Sequence, residues 1–134
     1  MTNRELLELA IEAREMSYAP YSGFRVGAAL LGKSGKVYLG CNVENAAYSP
    51  TNCAERTAVF KAVSEGETEF SAIAIVGGKG SELAPFCAPC GVCRQVLAEF
   101  CDKDFRLILG TPDDFTEYKF GDILPYSFGK TDLE

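Results

Sequence analysis

Three cysteines, a glutamate and an arginine are the residues of this chain best placed to do chemistry. Cys53 opens the run Cys53-Ala54-Glu55-Arg56, and Cys90 and Cys93 lie in Pro89-Cys90-Gly91-Val92-Cys93. The spacing of the second pair lets both sulfurs reach one metal ion within a single turn. No histidine occurs in the chain. A metal site must then use sulfur or carboxylate, and histidine-based triads or general bases are excluded. Three sulfurs suit Zn²⁺ and leave one tetrahedral position for water, which marks a catalytic rather than a structural site. A closed four-cysteine site is the alternative reading, because Cys87 extends the pair to a CxxCxxC run. Iron-sulfur ligation fits less well: the bacterial pattern needs a fourth cysteine after three residues and then proline, which Arg94-Gln95-Val96-Leu97 does not supply.

Glu55 turns a metal site into a catalytic hypothesis. It is a carboxylate two residues from a ligand, able to carry protons to and from a reacting group. On a regular helix Cys53 and Glu55 would point about 200° apart. Both face one cleft only if Cys53 sits at the irregular first turn, as a cap residue does. Arg56 has an electrostatic rationale. Three thiolates and Zn²⁺ sum to a net negative site, which weakens the metal as a Lewis acid, and a guanidinium donating to the sulfurs offsets that charge. A surface ion pair is the competing role for Arg56. Cys41 and Cys101 stand in apolar surroundings and read as core residues.

The elements that must hold these groups follow from periodicity. Leu6, Leu7, Ala10, Ile11 and Ala13 recur at helical spacing, with Arg4, Glu5, Glu8, Glu12 and Glu15 on the other face, and predict an amphipathic helix from Thr2 to Ser17. Phe24 to Leu31 and Lys36 to Val43 read as strands joined by the hairpin signal Gly32-Lys-Ser-Gly35. A polar loop from Asn42 to Pro50 precedes a helix from about Asn52 to Gly66. Ser71 to Val76 is an apolar strand. The Gly- and Pro-broken stretch after it is a loop longer than packing requires, which hints at a site. Gly91 to Cys101 reads as a helix, and Phe105 to Leu109 and Glu117 to Phe120 as strands. Cys53 and Cys90 thus fall at helix starts, where the local field lowers thiol pKa. The order predicts a hairpin followed by two strand-helix-strand crossovers, hence an α/β fold: a three-layer α/β/α sandwich around a mixed five-stranded sheet, with residues 1–134 as one catalytic domain.

The bulk numbers exclude several function classes. A chain of 134 residues with 47% hydrophobic content can build one core. The first twenty residues carry Arg4, Glu5, Glu8, Glu12, Arg14 and Glu15 where a signal peptide would be apolar, and no run approaches the ~18 apolar residues of a membrane span. A cytoplasmic protein without a membrane role is expected. The six cysteines are then better explained by thiolate chemistry than by disulfides. The net charge of −6, with basic residues scattered singly, repels polyanions, so a nucleic-acid partner is not expected.

Four segments carry a resemblance, in this order along the chain: Tyr18-Ala-Pro-Tyr-Ser-Gly-Phe-Arg-Val-Gly-Ala-Ala-Leu30, Gly40-Cys-Asn-Val-Glu-Asn-Ala-Ala-Tyr48, Cys53-Ala-Glu-Arg56 and Pro89-Cys-Gly-Val-Cys-Arg-Gln95. The chain resembles the cytidine deaminase family over nearly its whole length. The resemblance implies one Zn²⁺ per chain on Cys53, Cys90 and Cys93, with proton transfer by Glu55, which is not a ligand; Cys87 matches no ligand position. It implies Asn42 and Glu44 on the ribose hydroxyls, Phe24 against the pyrimidine face and the Ala54 backbone near the base. It further implies the short, three-cysteine class, whose members are homotetramers in which neighbouring chains complete each site. Tyr48 and Phe128 match the contributing positions, and Tyr126 competes with Phe128 for its role. The implied activity is hydrolytic deamination of cytidine and 2′-deoxycytidine to uridine and 2′-deoxyuridine with release of ammonia, a pyrimidine salvage reaction. A related aminopyrimidine nucleoside such as blasticidin S is the alternative substrate, against which Asn42 and Glu44 argue for a ribose ligand.

Overall fold

The computed structural model describes all residues from Met1 to Glu134. Helix α1 (Asn3–Arg14) is started by Thr2, whose hydroxyl accepts from the Glu5 N–H at 3.1 Å while the Glu5 carboxylate reaches back to Thr2, a reciprocal capping box. Strand β1 (Phe24–Gly32) turns into β2 (Val37–Cys41), α2 (Ala54–Ser64) leads to β3 (Phe70–Lys79), and α3 (Gly91–Phe100) leads to β4 (Arg106–Thr111). A tight turn at Pro112 and Asp113 then gives β5 (Asp114–Lys119), followed by the single-turn helix α4 (Phe120–Ile123) and a 3₁₀ turn over Lys130–Leu133.

The five strands lie in the order β2-β1-β3-β4-β5. Strand β1 runs antiparallel to both β2 and β3, β3 is parallel to β4, and β5 is antiparallel to β4. Both expected crossovers are present, one through α2 over β1 and one through α3 between adjacent parallel strands. Alternation along the central strands supplies two cores. Ala28, Leu30, Ile73, Ile75, Leu107 and Leu109 face α2 and α3 with Ala58, Val59, Ala62 and Leu97. Ala29, Ala72, Ala74, Val76 and Ile108 face α1 with Leu6, Leu7 and Ala10. A sheet covered on both faces gives the continuous apolar runs seen in β1 and β3. The result is a three-layer α/β/α sandwich.

Several boundaries differ from the sequence expectation, each for a packing reason. Helix α1 stops at Arg14, and Glu15 to Ser17 form a turn. Strand β2 ends at Cys41 because Val43 leaves the sheet to bridge Tyr18 and Asn52. Gly77 and Gly78, expected in a loop, continue β3 and pair with Val26 and Arg25. A Cβ at Gly78 would meet the Glu82 carbonyl oxygen at 2.0 Å, so the returning chain packs directly on the strand there. Strand β5 begins at Asp114 rather than Glu117, and Phe120 starts a helix. This edge strand is mostly exposed, so apolar periodicity carries little signal for it.

Candidate active site

The topology brings distant segments to one edge of the sheet. Strands β2 and β3 are parallel to each other with β1 reversed between them, so their carboxyl ends and the beginning of β1 share that edge. Helix α2 starts after β2, α3 starts after β3, and Phe24 stands where β1 begins. Crevices at the carboxyl ends of strands are where open α/β sheets bind ligands. Gly40 permits the close approach of α2, since a Cβ there would lie 2.3 Å from the Ala54 carbonyl oxygen.

Cys53 is the N-cap of α2, with extended backbone (φ −75, ψ 156), which is the irregular position that lets it and Glu55 face one cleft. Cys90 caps α3 in the same way, and its sulfur accepts from the Cys93 N–H at 3.4 Å. The sulfurs of Cys53 and Cys90 are 3.7 Å apart, and those of Cys53, Cys90 and Cys93 all lie within 4.8 Å of one another. Zn–S bonds of about 2.3 Å in a tetrahedron place sulfurs about 3.8 Å apart, so this donor set fits a zinc ion and leaves a fourth position for water or substrate. The sulfur of Cys87 is not in the group.

Charge around the trio is organised by Arg56. Its Nη2 donates to the Cys53 sulfur at 3.3 Å, while its Nε is buried without a partner. A hydrogen bond from the Cys93 thiol, reinforced by Arg56, pulls Cys53 down to about 5 against the opposing effect of burial. Cys93 is pushed up by that same bond and by burial. Burial raises Cys87 to about 11, with the Glu55 and Cys53 charges adding, so it stays a thiol. Glu55 is 4% exposed, and burial pushes its carboxyl up to about 7. Cys41 and Cys101 are likewise pushed upward by burial, as expected of packing residues.

Beside the sulfurs lies a cavity of ≈ 280 Å³, lined by Phe24, Asn42, Glu44, Cys53, Ala54, Glu55, Cys87 and Cys90 among others. Asn42 is 8% exposed, and its amide closes the start of β1: Oδ1 accepts from the Val26 N–H at 2.8 Å and Nδ2 donates to the Phe24 carbonyl at 2.8 Å. One amide hydrogen and one lone pair are left over. The Glu44 carboxylate accepts from the Tyr21 N–H at 3.0 Å and from the N–H and hydroxyl of Ser22, and the Ser22 bonds hold it below the usual carboxylate range.

Two expected residues stay outside this cavity within one chain. Tyr48, in the left-handed region at φ 61, is 73% exposed and meets the Tyr21 ring edge-on at 6.3 Å. It lines an adjoining cavity of ≈ 390 Å³ with Ser22 and Glu44. Phe128 is 58% exposed and borders neither cavity. Conversely, Thr51 and Asn52 line the first cavity without having been singled out. Arg14 also supports the site from a distance. Its buried guanidinium donates to the carbonyls of Arg25, Gly78, Gly80 and Glu82 at 2.7–2.9 Å and clamps the chain that leads to Cys87 and Cys90. The available signal was its spacing from Leu7 and Ala10, which puts it on the apolar stripe of α1.

Comparison with known proteins agrees with this geometry. A family model described as the cytidine and deoxycytidylate deaminase zinc-binding region matches residues 1–109. The chain is 48% identical to a cytidine deaminase of Sporosarcina psychrophila over 99% of this chain and 96% of that one. It is 44% identical to a cytidine deaminase of Mycobacterium tuberculosis, covering 92% and 87%. The crystal structure of a cytidine deaminase from Burkholderia pseudomallei superposes with a TM-score of 0.87 at 48% identity, covering 96% of this chain and 100% of that one. The cytidine deaminase structure from Mycobacterium tuberculosis gives 0.81 at 38% identity, covering 97% and 99%. With its three clustered sulfurs and the matching fold around them, the chain belongs to the cytidine and deoxycytidylate deaminase family, enzymes of hydrolytic deamination.

Proposed function

We propose that this enzyme deaminates free cytidine and 2′-deoxycytidine to uridine and 2′-deoxyuridine, with release of ammonia, as a cytoplasmic pyrimidine salvage enzyme carrying one zinc ion per chain. The observation that carries this reading is one cavity lined both by the buried Glu55 with Cys53 and Cys90 and by Phe24, Asn42 and Glu44. Its volume of ≈ 280 Å³ suits a small nucleoside rather than a polynucleotide.

Cys53, Cys90 and Cys93 hold the zinc, which supplies a Lewis acid that makes water nucleophilic near neutral pH. Glu55 handles the protons. Its carboxylate takes the proton that water gives up and places it on the ring nitrogen beside the amino-bearing carbon, which makes that carbon electrophilic. After the carbon–oxygen bond forms, the same carboxylate, now unprotonated, takes the proton of the new hydroxyl and delivers it to the amino group, the carbon–nitrogen bond breaks, the oxygen becomes the product carbonyl and ammonia leaves. One water is consumed per ammonia released. Burial of Glu55 keeps bulk water from competing for these protons.

The remaining residues bind and orient. Phe24 stacks on the pyrimidine face, with Asn42 fixing the backbone that follows it, from the Phe24 carbonyl to the Val26 N–H. The Ala54 backbone faces the base. Glu44 accepts from ribose hydroxyls, and Asn42 offers its spare amide hydrogen to the same sugar. Arg56 lowers the negative charge of the thiolate trio. Tyr48 and Phe128, exposed in one chain, reach the site of a neighbouring chain in a homotetramer. The test is uridine formation from cytidine, measured by product and by ammonia, before and after chelation and after restoring zinc. Unchanged turnover in chelated protein refutes the metal's part, and no ammonia from cytidine, deoxycytidine or blasticidin S refutes the substrate class.

A further inference from the structure

Within one chain, the segment past Gly121 is held by one helix. Its own hydrogen bonds are local: Leu124 to Phe120, Gly129 to Asp132 and Glu134 to Thr131. Every polar contact it makes with a distant element goes to α3. Nη1 of Arg94 donates to the Ile123 carbonyl at 2.7 Å, Nε2 of Gln95 donates to the Phe128 carbonyl at 2.8 Å, and Lys130 Nζ lies 3.6 Å from Glu99. Apolar anchoring is limited to Ile123 and Leu124, and Pro125 through Phe128 are exposed. This segment also lies beyond residues 1–109, where the family model matches.

Helix α3 starts at the sulfur trio. Cys90 caps it, Cys93 sits in its first turn, and Nε of Arg94 donates at 2.9 Å to the carbonyl of Pro89, the residue before Cys90. One guanidinium therefore holds the metal loop with one nitrogen and the C-terminal segment with another. It has no carboxylate partner. An arginine whose rigid fork is spent on two main-chain carbonyls fixes geometry rather than neutralising charge.

We propose that Arg94 is a positioning residue that ties the Pro89–Cys90 turn to the C-terminal segment, so that metal loading at Cys53, Cys90 and Cys93 orders residues 123–128. The inference rests on the zinc reading above. Coupling between two sites is reciprocal, so loosening the segment weakens metal binding by the same factor by which metal loss loosens the segment.

Hydrogen exchange and zinc competition against a chromophoric chelator test this on the full chain. In wild-type protein, removing zinc speeds exchange of the Leu124 and Gly129 amides, which share peptide planes with the Ile123 and Phe128 carbonyls and are themselves hydrogen-bonded, by at least about fivefold, the lower end of ordinary coupling. The Ile73 to Val76 amides of β3 stay protected. Arg94→Met at full zinc occupancy shows the same loosening and binds zinc at least about fivefold more weakly. Arg94→Lys behaves like Arg94→Met, because it keeps the charge and loses the fork. Gln95→Ala, at an exposed position that leaves folding unaffected, speeds exchange of the Gly129 amide, the N–H of the peptide whose carbonyl Gln95 holds. A wild-type tail indifferent to zinc overturns the proposal. So does a tail that stays protected in Arg94→Met, Arg94→Lys or Gln95→Ala, or rescue of Arg94→Met by lysine. Zinc stoichiometry separates the two levels: a chain that takes up no zinc refutes the metal reading and the coupling together, whereas a loaded chain with an indifferent tail refutes the coupling alone.

Discussion

Alanine at Gly77 probes the substrate cavity from behind. Gly77 sits in β3, paired with Val26, and its backbone suits any residue, so only the added methyl acts. That methyl would stand 2.7 Å from Cys87 Sγ and 3.0 Å from Phe24 Cε1. Comfortable contacts of this kind lie near 3.5–4.0 Å, so the sulfur must retreat by about 1 Å and the ring by roughly half of that. The paired strand does not yield, and both displaced groups line the ≈ 280 Å³ cavity, so they move into it. Overpacking of this size costs about 1–3 kcal/mol. If one to two kcal/mol of it appears in nucleoside binding, KM for cytidine rises about 5- to 30-fold, with a smaller change in kcat because Glu55 and the sulfurs are untouched. Adding Cys87→Ala removes the nearest clash and restores most of the loss, giving a coupling of about 0.5–3 kcal/mol in the double-mutant cycle. Steady-state kinetics on the four proteins decide it. A wild-type KM in Gly77→Ala, or strictly additive effects of the two substitutions, refutes the placement of Cys87 and Phe24 against the substrate.

Four further outcomes are expected. Glu55→Gln retains about one zinc per chain but loses ~10²- to 10⁴-fold in kcat, and metal loss in this variant would contradict the separation of ligand from proton carrier. Arg56→Ala keeps its zinc and turns over more slowly, since a charge-assisted bond to a ligand sulfur is worth about 1.5–3 kcal/mol; wild-type rates would remove the charge-compensation argument. Cys87→Ser retains metal and activity, with zinc absorption spectroscopy reporting three sulfur neighbours in both proteins, whereas loss of one sulfur would make Cys87 a ligand. Glu67 accepts from the N–H and hydroxyl of Ser34 and from the Tyr38 hydroxyl, bonds that lower its folded pKa. A carboxylate depressed on folding contributes stability above its unfolded pKa of about 4.3 and loses it as pH falls through the folded value. Melting curves from neutral pH down to pH ~3 should therefore show Glu67→Gln less stable near neutrality and converging on wild type in acid; a constant gap would exclude this linkage.

Much of the site is written in short-range spacing. The pair Cys90 and Cys93, the helix starts at Cys53 and Cys90, and the carboxylate and guanidinium that follow Cys53 are all properties of a few consecutive residues, and such patterns survive in a one-dimensional string. The cap conformation of Cys53 was required by the angle between residues two apart on a helix, and it is what the structure contains. The sequence led to one core, whereas the structure has two, because the apolar runs of β1 and β3 are continuous and do not show that alternate residues face opposite layers.

What the string alone did not determine depends on how distant segments meet. Cys53 and Cys90 are 37 residues apart, and their sulfurs come within 3.7 Å only because an antiparallel β1 lies between parallel β2 and β3, which puts both helix starts on one edge. Cys87 has the spacing of a ligand, yet its sulfur packs against Gly77 in the cavity wall and stays out of the trio. Gly77 and Gly78 look like loop residues until the chain returning over β3 shows why no side chain fits. Arg14 falls on the apolar stripe of α1, and only the fold shows the four carbonyls that converge on it there. Sequence determined which chemical groups this protein carries and their local backbone settings. The tertiary structure decided which of them share a cavity, because proximity across the sheet is set by strand order and direction rather than by separation along the chain.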